Sequence, residues 1–68
     1  MILNIEVEQE QDGRWIAEVR ELAGAMTYGP TKDQAIARAK ALALRAMAER
    51  LEHGETGPNL SDIVFRAA

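Results

Sequence analysis

The stretch that decides the fold is DGRWIAEVRELAGAMTYGPT, residues 12–31. Apolar and polar residues alternate through its segment WIAEVR, with the period of two that gives a β-strand one buried face and one exposed face. The run at the start of the chain, MILNIEVE, alternates in the same way. Because an Asp-Gly pair lies between the two runs, the sequence predicts a β-hairpin.

The register of this hairpin follows from its hydrophobic pattern. A two-residue loop at Asp12-Gly13 would place Val7 opposite Glu18, which sets a core residue against a charge on the same face. A loop one residue longer, with Gly13 in the left-handed conformation, pairs Val7 with Ala17 instead. The predicted inner face then consists of Leu3, Ile5, Val7, Trp15, Ala17 and Val19. The predicted outer face consists of Asn4, Glu6, Glu8, Glu10, Arg14, Ile16, Glu18 and Arg20.

Three further elements follow along the chain. Residues 25–28 form a short β-prone run that ends at a glycine. Thr31 begins a helix, because its hydroxyl can accept a hydrogen bond from the amide three residues on. Good helix formers then continue over residues 32–53, and Gly54 supplies the left-handed position that ends the helix. An apolar run within residues 60–66 predicts a short fourth strand.

These elements predict one α+β domain over residues 1–68, in the order β-β-β-α-β. Residues 1–30 form a three-stranded antiparallel meander with strand order 3-2-1, whose first strand covers residues 2–10. The helix lies across the inner face. The fourth strand joins the edge beside strand one or pairs with a neighbouring subunit, and the sequence leaves both arrangements open.

Length and composition favour self-association. A chain of 68 residues buries only about 60% of the surface that its unfolded form exposes, so its core is small. The chain contains no cysteine, which excludes disulfides and thiolate metal sites. Small domains that lack both often gain stability by oligomerising, and we therefore expect a homo-oligomer.

The charge distribution argues against nucleic acid as a partner. The net charge is −3, with −4 in residues 1–30 and +1 in residues 31–68. Neither half carries the basic stripe that neutralises phosphates, so we expect no direct nucleic-acid binding. No apolar run reaches the length of a signal peptide core or of a membrane span, so the expected location is the cytoplasm, without membrane contact.

The predicted helix has two apolar faces. The first is the expected core face, and it consists of Ala35, Ile36, Ala39, Leu42, Ala43, Ala46 and Met47. The second lies on the opposite side and consists of Ala37, Ala41, Leu44, Ala48 and Leu51. Its spacing alternates between four and three, as in a helix–helix seam. One reading is that the alanines reflect helix propensity, so that only Leu44 and Leu51 are exposed apolar groups, or that the C-terminal run folds over them. The other reading is that this second face is an interface with another copy or a partner protein.

The outward carboxylates form the main charge feature. Glu6 lies opposite Glu18 in the predicted register, with Glu8 and Glu10 beside them, and like charges opposite one another destabilise a sheet. One reading is a solvated face that is kept charged to prevent edge-to-edge association. The other is a surface complementary to a basic partner, and the four carboxylates are then its candidate partner-binding residues.

Catalytic chemistry is not indicated. The one histidine, His53, lies at the predicted helix C-terminus, where capping explains it. Glu49 lies four residues before it, but two ligands on one helix do not make a metal site. Ser61 has no base or motif around it, and the glycines fit turns rather than phosphate loops. We therefore predict a protein without enzymatic activity, and without a cofactor, metal or catalytic residues.

Taken together, the motifs resemble the N-terminal domain of HicB-type antitoxins. That family has an acidic strand, a D-G-x-[WY]-x-A-x-[VF] hairpin, an E-L-P-G-like turn, a short strand, a G-[DP]-T turn and an alanine-rich helix. The resemblance covers residues 1–53. Its matching positions are Asp12, Gly13, Trp15, Ala17, Val19, Glu21, Leu22, Gly24, Gly29, Thr31, Ala35 and Ala39. The chain departs from the pattern at Ala23, where relatives often have proline.

The resemblance implies a truncated ribonuclease H-like fold without nuclease activity. It also implies a partner, a small basic toxin of the HicA type that cleaves mRNA, and a homo-oligomer. Relatives usually carry an additional DNA-binding segment. None is recognised in residues 1–68, so operator binding by this chain alone is not expected. Two alternatives remain: a solitary structural or oligomeric member without a toxin, and a small-ligand or metal-binding remnant of a ribonuclease H-like enzyme.

Overall fold

A computed structural model describes residues 1–54 and 62–67. Its elements are β1 (Ile2–Gln9), β2 (Trp15–Val19), β3 (Met26–Gly29), α1 (Lys32–Glu52) and β4 (Val64–Ala67). The strands form one sheet in the order β3-β2-β1-β4, in which β1, β2 and β3 are antiparallel neighbours and β4 runs parallel to β1. The predicted α+β class and the β-β-β-α-β order are confirmed.

The fourth strand resolves an alternative that the sequence leaves open. It joins the edge beside β1 within its own chain, with Ile2 paired to Val64 and Leu3 to Phe65. The prediction places this strand at residues 60–66, of which 60 and 61 lie outside the described residues. The strand extends one residue further than predicted, to Ala67. β3 and β4 lie at opposite edges of the sheet and point in the same direction. The chain must therefore cross the sheet between them, and α1 forms this crossover connection.

The hairpin adopts the predicted register. Val7 pairs with Ala17, and Gly13 has a φ of 92°. The Gly13 amide donates to the Glu10 carbonyl at 3.0 Å. This is the three-residue loop with a left-handed glycine, which matches the right-handed twist of the strands. A one-residue shift would have turned the core residues to solvent, and that cost fixes the register.

A carboxylate strengthens the tip of this hairpin. Asp12 accepts hydrogen bonds from the Arg14 amide at 3.0 Å and from the Arg14 Nε at 2.7 Å. These two bonds favour the ionised carboxylate and lower the pKa of Asp12 below its ordinary value of 3.8. The tip is therefore held by local contacts as well as by the β1–β2 ladder.

A second carboxylate continues the ladder where β2 ends. The Arg20 amide donates to the Asn4 carbonyl at 3.0 Å, but the Asn4 amide donates to Glu21 Oε1 at 2.7 Å, and its side-chain Nδ2 donates to Glu21 Oε2 at 2.6 Å. The Glu21 side chain therefore takes the place of a strand carbonyl at this point. Both bonds stabilise the charged carboxylate, so the pKa of Glu21 is lowered from 4.5.

The core lies between the inner face of the sheet and α1. The buried hydrophobic residues of the described chain are Leu3, Ile5, Ala17, Val19, Leu22, Ala25, Ala35, Ala39, Ala43 and Met47. Every residue of the predicted inner faces is either in this cluster or, as for Val7, Trp15, Ile36, Leu42, Ala46, packed against it. The alanines on α1 let the helix backbone approach the sheet closely, which compensates for the few large side chains in this core.

The two ends of α1 agree with the prediction. The Thr31 hydroxyl accepts from the Gln34 amide at 3.2 Å, as an N-cap does. At the other end the His53 amide donates to the Glu49 carbonyl at 3.0 Å and the Gly54 amide donates to the Leu51 carbonyl at 3.1 Å, and Gly54 has a φ of 74°. The helix ends one residue earlier than predicted, with His53 as its C-cap.

Candidate protein-binding surface

The face of the sheet that points away from α1, here called the outer face, is the candidate binding surface. No described helix or strand packs on it. Strand alternation and the observed pairing place six side chains side by side at its centre, in two rows across β1, β2 and β3. The first row is Glu8, Ile16 and Tyr28, and the second is Glu6, Glu18 and Met26.

Part of this face consists of apolar side chains on which no described helix or strand packs. The Met26 residue is 46% exposed and Tyr28 is 41% exposed, while Ile16 is half-buried between its neighbours. An antiparallel sheet with one solvated face normally carries polar residues there. An apolar group on such a face is typical of a surface that another molecule covers.

Carboxylates surround part of this apolar group. A shallow groove of about 360 Å³ is lined by Glu6, Val7, Glu8, Ile16, Glu18 and Met26. We call it the acidic groove. Its apolar floor can receive an aliphatic or aromatic side chain, and its carboxylates can bind the ammonium or guanidinium group of a lysine or arginine.

The charges of the acidic groove are only partly compensated. Glu6 lies directly opposite Glu18, as the register predicts. The Arg20 Nε lies 3.2 Å from Glu6 Oε1, but both side chains are about 60% exposed, and exposed pairs of this kind contribute little. Among the described residues, no cation forms an ion pair with Glu8 or Glu18. The groove therefore has a negative potential that would attract a basic partner.

The structure brings together three of the four predicted partner-binding carboxylates. Glu6, Glu8 and Glu18 line the acidic groove. Glu10 lies at the hairpin tip, in a separate recess with Gln11, Asp12 and Arg14. There the Glu10 amide donates to the Arg14 carbonyl at 2.7 Å, and the Arg14 guanidinium already pairs with Asp12. Glu10 is thus placed beside a cation and away from the groove.

The second apolar face of α1 is exposed. Its residues are Ala37, Ala41, Leu44, Ala48 and Leu51, of which Ala41 is half-buried and the others are exposed. Leu44 is 48% exposed and Leu51 is 51% exposed. One reading of the sequence has the C-terminal run folding over these leucines. In the structure β4 pairs with β1, and residues 55–61 lie outside the described part of the chain.

Sequence reasoning missed two residues of the outer face, Met26 and Tyr28. They lie on β3, where Ala25 is buried, Met26 exposed, Thr27 half-buried and Tyr28 exposed. The same alternation is visible in the sequence AMTY and could have assigned them to the outer face. The Arg14 guanidinium lies 4.8 Å from the centre of the Tyr28 ring, in cation–π contact, and so holds this ring at the rim of the surface.

Residues 1–54 and 62–67 contain neither a cluster of metal ligands nor a membrane-spanning helix. No group of three or more His, Asp or Glu side chains there is arranged to hold a metal ion. No helix in these ranges combines the length and apolar character needed to cross a membrane.

Comparison of the chain with protein-family models, with curated proteins and with solved structures gave no match in any of the three.

Proposed function

We propose that this chain is a non-enzymatic binding protein, a HicB-like antitoxin that binds and neutralises a small basic mRNA-cleaving toxin of the HicA type in the cytoplasm. The proposal includes a truncated ribonuclease H-like fold. The observation that supports it best is the acidic groove, because it combines only partly compensated carboxylates with exposed apolar side chains on a sheet face that no described element covers. The motif resemblance of residues 1–53 supplies the identity of the partner.

The two components of the groove have different tasks in this proposal. Glu6, Glu8 and Glu18 attract the basic toxin and increase the rate of encounter. Ile16 and Met26 then exclude water and slow dissociation, since the desolvated centre of an interface supplies most of its binding free energy. Neutralisation follows from occlusion: a toxin whose basic RNA-binding surface lies on this face cannot reach mRNA.

The first experiment tests the activity itself. The probe is the HicA-type protein encoded next to the gene for this chain. Expression of that toxin alone should arrest growth, and co-expression with this chain should restore growth and yield a complex that co-purifies. No complex together with no recovery of growth would refute the proposal, as would the absence of a small basic protein from the neighbouring gene.

A matched pair of variants tests the groove. The triple variant Glu6→Gln, Glu8→Gln, Glu18→Gln should lower the association rate constant about tenfold at low ionic strength, because steering by charge is lost. The control is Asp33→Asn, Glu49→Gln, Glu52→Gln, which removes the same charge from α1 on the other side of the sheet. Equal loss in both variants would show that net charge, rather than the groove, attracts the toxin.

A second candidate function is that of a solitary structural oligomer without a toxin. The exposure of Leu44 and Leu51 on the second apolar face of α1 favours it. In this candidate the alanines of that face permit close approach of a second helix. The double variant Leu44→Glu, Leu51→Glu should then produce a monomer by light scattering, and an unchanged oligomer would exclude this helix seam.

A further inference from the structure

The two edges of the sheet differ in how their backbone groups are used. At the β3 edge, the Val19 amide donates to the Ala25 carbonyl, so alternation directs the backbone groups of Met26 and Tyr28 away from the sheet. The Met26 amide donates to the Gly24 carbonyl at 3.0 Å. The Tyr28 carbonyl accepts from the Arg38 guanidinium of α1 at 2.6 Å. This edge is protected against pairing with another strand.

The β4 edge lacks a comparable protection among the described residues. The Val64 amide donates to the Met1 carbonyl at 2.8 Å, so Val64 and Arg66 use their backbone groups toward β1. In a parallel pair, alternate residues direct their backbone N–H and C=O groups away from the neighbouring strand. Ile63 and Phe65 therefore direct these groups away from β1. β4 is the outermost strand on this side, and no described element pairs with its outward edge. Such an edge is a template for another strand.

We propose that the β4 edge pairs antiparallel with the β4 edge of a second copy of this chain, about a two-fold axis at Val64. The segment Asp62-Ile63-Val64-Phe65-Arg66 is complementary to itself when reversed. On the outer face Val64 meets Val64, and Asp62 of each copy meets Arg66 of the other. On the inner face Ile63 meets Phe65. Two copies then form one continuous eight-stranded sheet with both helices on the same side.

Charge selects this register over its neighbours. Hydrogen bonding requires that the outward-directed residues Ile63, Phe65 and Ala67 pair with one another. Placing Phe65 opposite Phe65 would set Val64 against Arg66. Placing Phe65 opposite Ala67 would set Arg66 against Arg66, which is repulsive. Placing Ile63 opposite Ile63 would set Asp62 against Val64. Of these four registers, only the one with Ile63 opposite Phe65 places opposite charges directly across from each other, and it does so twice because of the symmetry.

Burial agrees with this interface. Val64 is 50% exposed in the single chain, although it lies in a strand. The Phe65 ring is half-buried beneath the ammonium group of Lys40, which lies 5.8 Å from the ring centre. Pairing covers Val64 and one side of Phe65, and it satisfies the outward backbone groups of Ile63 and Phe65. The interface uses neither the acidic groove nor the second apolar face of α1, so it holds or fails independently of the proposed function.

A cysteine pair tests the arrangement directly, since the chain contains no cysteine of its own. Residues opposite one another in a non-hydrogen-bonded antiparallel pair have Cα atoms about 4.5 Å apart, within the range that a disulfide spans. Val64→Cys should therefore form a covalent dimer under mild oxidation. Ile2→Cys is the control, because Ile2 is comparably exposed, at 45%, on the adjacent strand. Across three strand spacings, about 14 Å, it cannot form this disulfide.

We expect Val64→Cys to cross-link at least tenfold faster than Ile2→Cys. Equal rates would overturn the proposal. The charge pairs give a second test, by sedimentation at several protein concentrations. Arg66→Glu should raise the dimer Kd about tenfold, because two attractive pairs become repulsive. The combined variant Asp62→Lys, Arg66→Glu should restore it, which a folding defect would not do. A wild-type chain that stays monomeric at millimolar concentration, or a dimer insensitive to Arg66→Glu, would also overturn it.

Discussion

The inner and outer faces of the same three strands carry different kinds of sequence for different reasons. On the inner face Leu3, Ile5, Ala17 and Val19 are at most 1% exposed and lie under α1. On the outer face apolar side chains at Ile16, Met26 and Tyr28 remain accessible beside carboxylates. Residues adjacent in sequence thus lie in opposite environments. Core formation explains the apolar residues of the inner face but not those of the outer face. We therefore propose that the outer face is the binding surface.

Truncation of one side chain on each face tests whether only the inner face contributes to the core. Leu3→Ala should lower the free energy of unfolding by about 2–5 kcal/mol, because it removes fully buried volume between the sheet and α1. Met26→Ala should change it by less than about 1 kcal/mol, since Met26 is 46% exposed. Urea denaturation followed by circular dichroism measures both. A loss at Met26 as large as that at Leu3 would mean that the outer face also contributes to a core.

A glycine substitution tests how closely the helix approaches the sheet. A Cβ at Gly29 would lie 2.7 Å from the Ala35 backbone nitrogen, so Gly29→Ala must push the start of α1 away from β3. We expect a loss of about 1–3 kcal/mol in the free energy of unfolding, by the same denaturation measurement. Gly24→Ala is the control: its φ of +79° is unfavourable for alanine, but a Cβ there meets nothing within 4 Å.

That control separates two mechanisms. The strain of a left-handed alanine costs about 1–2 kcal/mol and stays local to the β2–β3 turn. The steric clash at Gly29 acts on the contact between sheet and helix, and it should also change the near-ultraviolet signal of Trp15, which packs against the core on the same face. A Gly29→Ala protein with unchanged stability and an unchanged Trp15 signal would mean that the helix start can shift without cost.

The sequence predicted the parts of this fold whose causes are local. The Asp12-Gly13 turn, the alternation of β1 and β2, and the Thr31 cap each act over a few residues, so pattern reading gave the hairpin register and the helix start. The position of β4 could not be derived, because a short apolar run fits its own sheet edge and a neighbouring subunit equally well. The choice depends on contacts between residues about 60 positions apart in the chain, such as Ile2 with Val64.

The candidate site was predicted only in part for a similar reason. The carboxylates of β1 and β2 were found because the hairpin register placed them on one face. Met26 and Tyr28 were missed because β3 has only four residues, too few for alternation to be persuasive. The bond from Arg38 to the Tyr28 carbonyl and the two bonds from Asn4 to Glu21 have no periodic signal at all. Long polar side chains reach across the fold in ways that sequence spacing does not encode.

The opposed carboxylates of the outer face allow a test of whether charge is kept there at the expense of stability. Glu18→Gln removes the repulsion from Glu6 across the strand pair and should raise the free energy of unfolding by a few tenths of a kcal/mol, up to about 0.5. Glu10→Gln is the control, because Glu10 lies at the hairpin tip beside both Arg14 and Asp12 rather than directly opposite a carboxylate in the ladder, and it should give no gain. Thermal melts at low ionic strength measure both, since salt screens the effect.

The same Glu18→Gln variant connects stability with binding. Under the proposed function it should bind the toxin more slowly while being slightly more stable. A variant that is more stable and binds equally fast would instead support the reading in which the carboxylates serve only to prevent association between sheets.

The weakest effect that we expect is a dependence of the free energy of unfolding on pH, and it arises from two carboxylates at the ends of the β1–β2 pair, Asp12 and Glu21. The pKa values of Asp12 and Glu21 are lowered from 3.8 and 4.5 by hydrogen bonds from Arg14 and Asn4. A carboxylate whose pKa is lower in the folded state binds its proton more readily when unfolded, so its stabilisation is complete above the unfolded pKa and disappears as the pH falls through the folded value. The free energy of unfolding should thus be insensitive to these two groups near neutrality and should decline below about pH 4.5. Asn4→Ala removes the side-chain donor to Glu21 and keeps the backbone amide donor, so it should make this decline shallower in an acid titration of stability. An unchanged slope in Asn4→Ala would mean that the Asn4 side chain does not stabilise the ionised Glu21 carboxylate in the folded protein.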